Sequence, residues 1–420
     1  MKKVSLWRVL LVIIMLVFAS IWVYNYQSPA PEEKPAEKPV ELPPPTEEKP
    51  APPAVKWKAS KNFKTLPGWE NADLKKSLET FKVSCRVFLR QPTSKDVGTD
   101  VIPLTAGDWH PVCKAALKLA DDTPNKEIKA FFEAWFKPGR FYEDGKRAKG
   151  LFTGYFVPTF DGSPVKTEGY DVPVYGMPKN LVAIRLNDFD PNLPNRKLIG
   201  RVDGHQIYPF HTREDINNGA VASDAPVMVW LKSQLDRLFL EIQGSGVIKL
   251  NNGKSLFLGY VAQNGAPYTS IASVLIKRGV MTWDNASMQN IKKYFAAHPD
   301  EISEVLNQNK SFVFFEKQNK GTARGAQGVY LTGGYSLAVD RAFVPLGMPL
   351  WLDTTYPNPT METPATLERL FIAQDTGGAI KGAVRGDVFW GEGEKAGEIA
   401  GRMKNRGVYW LLVPRDKPAQ

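Results

Sequence analysis

Along the chain, apolar positions first run together and then fall into shorter periods. From Val9 to Tyr24 they are interrupted only by Ser20, with Lys2, Lys3 and Arg8 ahead of them. At about 1.5 Å of rise per residue this run is just short of a bilayer core, and Trp22 and Tyr24 extend it at the interface. It predicts a signal anchor over residues 1–26, with the basic end in the cytoplasm and everything after it exported. A cleaved signal peptide is the competing reading, but Ala19 and Ser20 run into Ile21 and Trp22, a poor cleavage site. No cysteine follows the run, so no lipoprotein anchor is expected. Residues 27–56 form a linker: Ser28 to Ala54 hold ten prolines in 27 residues, interspersed with Glu and Lys. Such a composition buries no core and favours extended polyproline segments.

From Trp57 onward, apolar segments alternate with turn residues. Ile128, Phe131, Phe132 and Trp135 share one face of a helix over 127–136. Met288, Ile291 and Phe295 mark a second helix, with Thr282 and Asp284 as candidate caps, and a third starts at Asp300 with Ile302, Val305 and Leu306. Val227–Trp230, Phe239–Ile242, Phe312–Phe315, Leu350–Leu352, Phe371–Gln374 and Val408–Val413 read as short strands. The body is therefore mainly β with a few helices.

Composition narrows the classes. With 43% hydrophobic and 23% charged residues in 420, the chain is neither disordered nor a polytopic membrane protein. The folded body carries the whole net charge of +10, which suits an anionic cell-wall polymer or lipid or simply a solvated surface. Export and the lack of any nucleic-acid-binding motif argue against nucleic acid. Four histidines without metal spacing and two cysteines argue against a zinc hydrolase. In an oxidising compartment Cys85 and Cys113 either pair or stay as buried thiols.

Candidate chemistry concentrates near the C-terminus. Asp375 ends the strand-like run Phe371–Gln374 and precedes Thr376-Gly377-Gly378-Ala379-Ile380-Lys381-Gly382, where a loop can approach a ligand closely. Asp387 lies twelve residues on, and Asp340 precedes Arg341. Each has a plain structural alternative: Asp340 paired with Arg341 or a turn amide, Asp375 capping the glycine-rich turn, Asp387 solvated in a loop. Val388, Phe389 and Trp390 follow Asp387 directly, however. A carboxyl held against aromatic surface loses solvation of its charged form and keeps its proton toward neutral pH, as a general acid must. Trp390 is either a stacking face for a sugar ring or a core residue.

Asp340, Asp375 with its glycine-rich stretch, and Asp387 resemble the three-aspartate 3D domain. Phe152-Thr153-Gly154-Tyr155, Leu240-Glu241-Ile242-Gln243-Gly244-Ser245-Gly246, the segment from Gly259-Tyr260 to Ile271, and Ser311–Phe315 extend the likeness. Together they resemble the membrane-bound lytic murein transglycosylase A family, from about Leu151 to Val413. The resemblance implies a double-psi β-barrel over 57–157 and 316–420, into which a second, mostly β domain at 158–315 is inserted. It implies cleavage of the β-1,4 bond between N-acetylmuramic acid and N-acetylglucosamine in peptidoglycan, leaving 1,6-anhydromuramoyl ends. No cofactor or metal is implied. Asp387 matches the family's acid/base, with Asp375 and Asp340 as supporting residues.

Thr153, Tyr155, Gln243, Gly244, Ser245, Gly246 and Trp390 are the expected glycan-binding residues; Tyr155 has core packing, and Ser245 a turn hydrogen bond, as its alternative. The chain departs from the family pattern in lacking a lipobox and in the stretch Ala383-Val384-Arg385-Gly386, one residue longer than in some relatives. The expected setting is the periplasm, anchored to the inner membrane, or released there if the anchor is cleaved. Its partners are glycan strands, the inner membrane and room for other cell-wall enzymes. A hydrolase using Asp375 or Asp340 as base, a non-catalytic wall binder, and a divalent-cation site on the three aspartates are the alternatives.

Overall fold

A computed structural model describes residues 54–418 apart from 61, 195, 284, 320–322 and 361–362. The expected signal anchor, most of the linker and the candidate cap Asp284 lie outside the described residues. Among the described residues no helix is long and apolar enough to cross a membrane.

Strands β1 (Val55–Ala59), β2 (Phe136–Glu143), β3 (Lys146–Arg147) and β4 (Gly150–Val157) belong to one sheet. Nine further strands, β5 (Thr159–Ser163), β6 (Val172–Tyr175), β7 (Leu181–Arg185), β8 (Lys197–Asp203), β9 (Gln206–Pro209), β10 (Val227–Leu231), β11 (Ser245–Leu250), β12 (Ser255–Gln263) and β13 (Val313–Lys317), build two others. The chain then returns to the first sheet with β14 (Ser336–Val339), β15 (Pro349–Tyr356), β16 (Ala365–Asp375), β17 (Arg385–Glu392) and β18 (Lys404–Pro414).

The first sheet closes on itself. In the order β18-β15-β16-β14-β17-β4, six strands form a ring, because Lys404–Gly407 of β18 pair with β4 while Val408–Leu411 pair with β15. Closure leaves the ring no open edge. Two neighbours run parallel, β14 with β16 and β17 with β4. Leu370 to Gln374 of β16 are all fully buried, which explains the apolar run seen in the sequence. β2 continues from β18, and β1 and β3 pair with β2.

Three helices precede the ring, α1 (Lys75–Phe88), α2 (Ala106–Lys118) and α3 (Asn125–Trp135). Leu78, Phe81, Cys85 and Phe88 fall at helical spacing on α1 and join the barrel core. Ser77 Oγ donates to Leu370 O at 2.7 Å, and Gln374 Nε2 donates to Thr80 O at 3.1 Å, locking α1 onto β16. Cys85 and Cys113 form a disulfide between α1 and α2.

The second sheet has the order β13-β12-β11-β5-β10-β6, and β7-β8-β9 form a small third one. Helices α4 (Arg213–Asn217), α5 (Gln234–Gln243), α6 (Ile271–Lys277), α7 (Met288–Ala297) and α8 (Ile302–Asn307) accompany them. Leu238, Leu275, Phe295 and Val305 from α5 to α8 pack with Val229, Ile248 and Leu258 of the sheet. Phe239–Ile242, expected as a strand, lies in α5. Ser233 accepts from the Asp236 amide to start that helix, and Gly244, with φ 73°, ends it. The α7 cap is Ser287, whose side chain accepts from the Asn290 amide, not Thr282.

Helix α9 (Gly393–Arg402), also unexpected, packs on β4 through small residues. A Cβ on Gly397 would come within 2.8 Å of the Phe156 ring, so the close approach requires glycine there.

Candidate active site

The barrel topology sets Asp375 and Asp387 side by side. Ala338 of β14 pairs with Asp375 on β16 and with Asp387 on β17, and Asp387 pairs in turn with Thr153 on β4. Thr153, Asp387, Ala338 and Asp375 thus form one row across four strands, the two aspartates two strand spacings, or about 10 Å, apart at Cα. Residues paired across a sheet point to the same face. Ala338 between them is buried in an apolar cluster with Tyr155, Ile380 and Phe389.

Asp387 is half-buried. Thr153 Oγ1 donates to its Oδ1 at 2.6 Å, and Arg385 Nη2 donates to Thr153 Oγ1 at 2.9 Å. Arg385 also donates from Nη1 to Leu151 O at 3.1 Å and to Gly386 O. Among the described residues Oδ2 of Asp387 has no protein partner. Burial raises the carboxyl's pKa to about 6, against the opposing pull of the Thr153 hydrogen bond and the Arg385 charge; the neighbouring Asp375 adds to the rise. The group therefore titrates near neutrality and can both give and take a proton there.

Asp375 is occupied on both oxygens. Tyr155 Oη donates to Oδ2 at 2.7 Å, and the Ala326 amide donates to Oδ1 at 2.9 Å. Burial pushes its pKa up, and these donors, with the Thr376 amide, pull it back. Tyr155 is buried, its ring 5.2 Å from that of Phe389. Burial, and next the Asp375 charge, push its phenol far above the usual range, so it stays a donor.

Asp340 does not join this row. It is 6% exposed, and its two oxygens accept from the amides of Ala342 (3.1 Å) and Gly382 (2.8 Å). The carboxylate thereby ties the turn after β14 to the loop that joins Asp375 to Asp387. Gly382, at φ 116°, adopts backbone that other residues rarely take. Thr376 Oγ1 donates to Val339 O at 3.0 Å, and Tyr409 Oη donates to Ala383 O, so the loop is held at both ends.

The remaining expected residues divide into two groups. Gln243, at the end of α5, accepts the Phe156 amide on its Oε1 at 3.0 Å, linking the second sheet's helix to β4 one residue beyond Tyr155. Gly244 follows as the helix cap, Ser245 is buried and pairs with Gly259, and Gly246 lies against Leu240. Trp390 is placed elsewhere. Its indole lies 5.1 Å from the Tyr356 ring, its N–H points to Met403 Sδ at 3.4 Å, and a Cβ on Gly154 would approach it to 2.8 Å. The missing Cβ of Gly154 lets the indole settle on the strand, where Trp390 is partly buried and packs against the core.

Arg385 was not among the sequence candidates. It sits two residues before Asp387, and positions i and i+2 of a strand share a face. That spacing was a readable signal once Arg385–Glu392 is taken as a strand. No group of His, Cys, Asp or Glu among the described residues is arranged to hold a metal ion.

A closed six-stranded barrel with an aspartate row on its rim, beside a second β sheet carrying its own helices, defines the class. Family models match accordingly: the MltA specific insert domain over residues 151–316 and the 3D domain over residues 335–413. The chain is 34% identical to membrane-bound lytic murein transglycosylase A of Escherichia coli strain K12, over 62% of this chain and 65% of that protein's length. It superposes on MltA from Neisseria gonorrhoeae with a TM-score of 0.69 at 33% identity, covering 87% of this chain and 94% of that one. A membrane-bound lytic murein transglycosylase from Agrobacterium tumefaciens gives a TM-score of 0.73 at 27% identity, over 86% and 98%. The chain belongs to the membrane-bound lytic murein transglycosylase A family.

Proposed function

We propose that this protein cleaves the β-1,4 bond between N-acetylmuramic acid and N-acetylglucosamine in peptidoglycan, with Asp387 as the single acid/base. One observation carries the reading: of the three aspartates, only Asp387 keeps an oxygen without a protein partner among the described residues. Hydrolytic glycosidases use two carboxylates, one of them free to activate water or attack the sugar. Asp375 and Asp340 are both committed to donors, which disfavours a hydrolase.

With one working carboxyl, the attacking group is the substrate's own C6 hydroxyl, held near C1 by binding. Protonated Asp387 gives its proton to the leaving glycosidic oxygen as the C1–O bond breaks. The resulting carboxylate takes the proton from O6 as O6 bonds to C1, which leaves a 1,6-anhydro end and restores the acid. Thr153 fixes the Oδ1 side of Asp387, so Oδ2 faces the substrate. Asp375 raises the affinity of Asp387 for its proton, and Asp340 holds the connecting loop.

Gln243, Gly244, Ser245 and Gly246 would border the glycan groove from the second sheet. In this reading the ring is the double-psi barrel of residues 57–157 and 316–420, and 158–315 is the inserted domain. Residues 1–26 anchor the enzyme to the inner membrane and 27–56 let it reach the wall from there, in the periplasm.

The test is digestion of purified sacculi with the full chain beside Asp387→Asn, with mass analysis of released muropeptides. Products one water lighter than hydrolysis products, absent with the variant, are expected. Reducing ends would mean a hydrolase, and binding without release a wall-binding protein.

A further inference from the structure

A second concave site lies on the barrel wall and shares no residue with the aspartate row. This cavity of 790 Å³ is lined by Arg140, Arg147, Lys149 and Arg406, with Asp353, Glu368 and Trp410 among the other walls. Strand pairing brings the cations together: Arg140 is on β2, Arg147 on β3 opposite Tyr142 of β2, and Arg406 on β18 opposite Leu151 of β4. The Arg140 guanidinium lies 4.7 Å from the centre of the Trp410 ring, which pins it over the cavity.

None of these four cations forms a salt bridge among the described residues. Burial, and next the nearby Arg147, push the Arg140 pKa down. Asp353 and Glu368 offset only part of the four positive charges on this concave surface, and an anionic ligand meets the excess. Guanidinium forks suit carboxylates in particular. Asp353 and Glu368, also outside any salt bridge, supply two positions for an ammonium group.

We propose that this cavity binds a short peptide carrying at least two carboxylates and one ammonium, the chemistry of a peptidoglycan stem. The choice of the stem as source rests on the function proposed above; the binding of a zwitterionic peptide rests on the cavity alone. A membrane surface fits less well. Anionic-lipid binders couple cations to exposed apolar side chains, and no exposed large apolar residue lines the cavity. The two carboxylates would also repel a sheet of phosphates.

The test is calorimetric titration of the full chain with the tripeptide alanyl-γ-glutamyl-diaminopimelate, beside inorganic phosphate and phosphatidylglycerol vesicles. Arg147→Gln with Arg406→Gln removes two exposed cations, and equal thermal midpoints show that the variant folds. Saturable tripeptide binding, at least tenfold weaker in the double variant, is expected, with slower digestion of intact sacculi and unchanged cleavage of glycan stripped of peptide. Absent tripeptide binding, equal binding by the variant, or cation-dependent binding of phosphate or vesicles alone would overturn the proposal. A chain that binds the tripeptide through these arginines but releases no muropeptide would sustain the cavity and overturn the catalytic reading. Cleavage without tripeptide binding would do the reverse.

Discussion

Asp375 and Asp387 flank a single residue, Ala338, which pairs with both of them across the barrel. The two carboxyls share one level of the sheet, yet one is saturated by Tyr155 and Ala326 while the other stays open on Oδ2. This asymmetry predicts the pH profile. Asp387 has a pKa raised to about 6, and in the proposed mechanism it must be protonated to act, so activity should be present below that value and should fall as pH rises through it. Asp387→Asn should reduce turnover on sacculi by about 10³-fold, the middle of the range that positioned acid–base groups contribute. Asp375→Asn removes a charge that adds to the burial-driven rise at Asp387, so the falling limb should move modestly to lower pH. Turnover measured across pH 4 to 8 in the three proteins checks both statements; an unmoved limb in Asp375→Asn would detach the two groups.

The same carboxyl should cost the enzyme stability at neutral pH. Its pKa is higher in the fold, about 6, than the ordinary 3.8, so the fold prefers the proton. The corresponding stability is complete below the unfolded value and is lost as pH rises toward 6. Asparagine carries no charge to bury. Asp387→Asn should therefore be more stable than the native chain at pH 8, by about 1–2 kcal/mol after allowance for the partial opening to solvent, and should lose that advantage by pH 4. Urea unfolding at the two pH values measures the difference.

Thr153 relays the Arg385 guanidinium to Asp387, with bonds of 2.9 and 2.6 Å. Both residues favour the ionised carboxylate. Thr153→Val and Arg385→Gln should each move the falling limb to higher pH, opposite to Asp375→Asn. Thr153→Val should also cost about 1 kcal/mol of stability, the net worth of one such bond. Arg385→Lys keeps the charge but not the fork, so it should restore part of the limb position without full turnover.

Much of this site was legible in the sequence, and what was not has physical reasons. Phe371–Gln374 and Val408–Val413 read as strands because both lie in the core of a closed sheet, where apolar runs are continuous. Phe239–Ile242 misled because four apolar-rich residues cannot separate the two periods; only the Ser233 cap and Gly244, on either side of the ten residues of α5, reveal a helix. Helix α9 escaped because three of the four residues in its buried stripe, Ala396, Gly397 and Ala400, are small and carry little hydrophobic signal, leaving Ile399 alone. Asp387 was recognisable by its aromatic neighbours. Ala338 was not, since its pairing with both aspartates is a matter of register rather than chemistry.

Asp340 holds the loop that leads to Asp387 and its strand, and in the proposed mechanism it acts at one remove through that loop. Its oxygens accept the amides of Ala342 and Gly382, and Tyr409 holds the adjoining Ala383 carbonyl. In Asp340→Asn one of those oxygens becomes an amide that cannot accept, which leaves a buried N–H unsatisfied at a cost of about 1–3 kcal/mol. The loop should loosen and turnover fall about tenfold or more as Asp387 is held less firmly. Asp340 is not among the groups that shift the Asp387 proton, so the limb near pH 6 should stay in place. Stability, turnover and the pH profile of this one variant separate the two forms of support. Loss of turnover with a fixed limb identifies Asp340 as a positioning residue, and a displaced limb would make it an electrostatic partner of Asp387 instead.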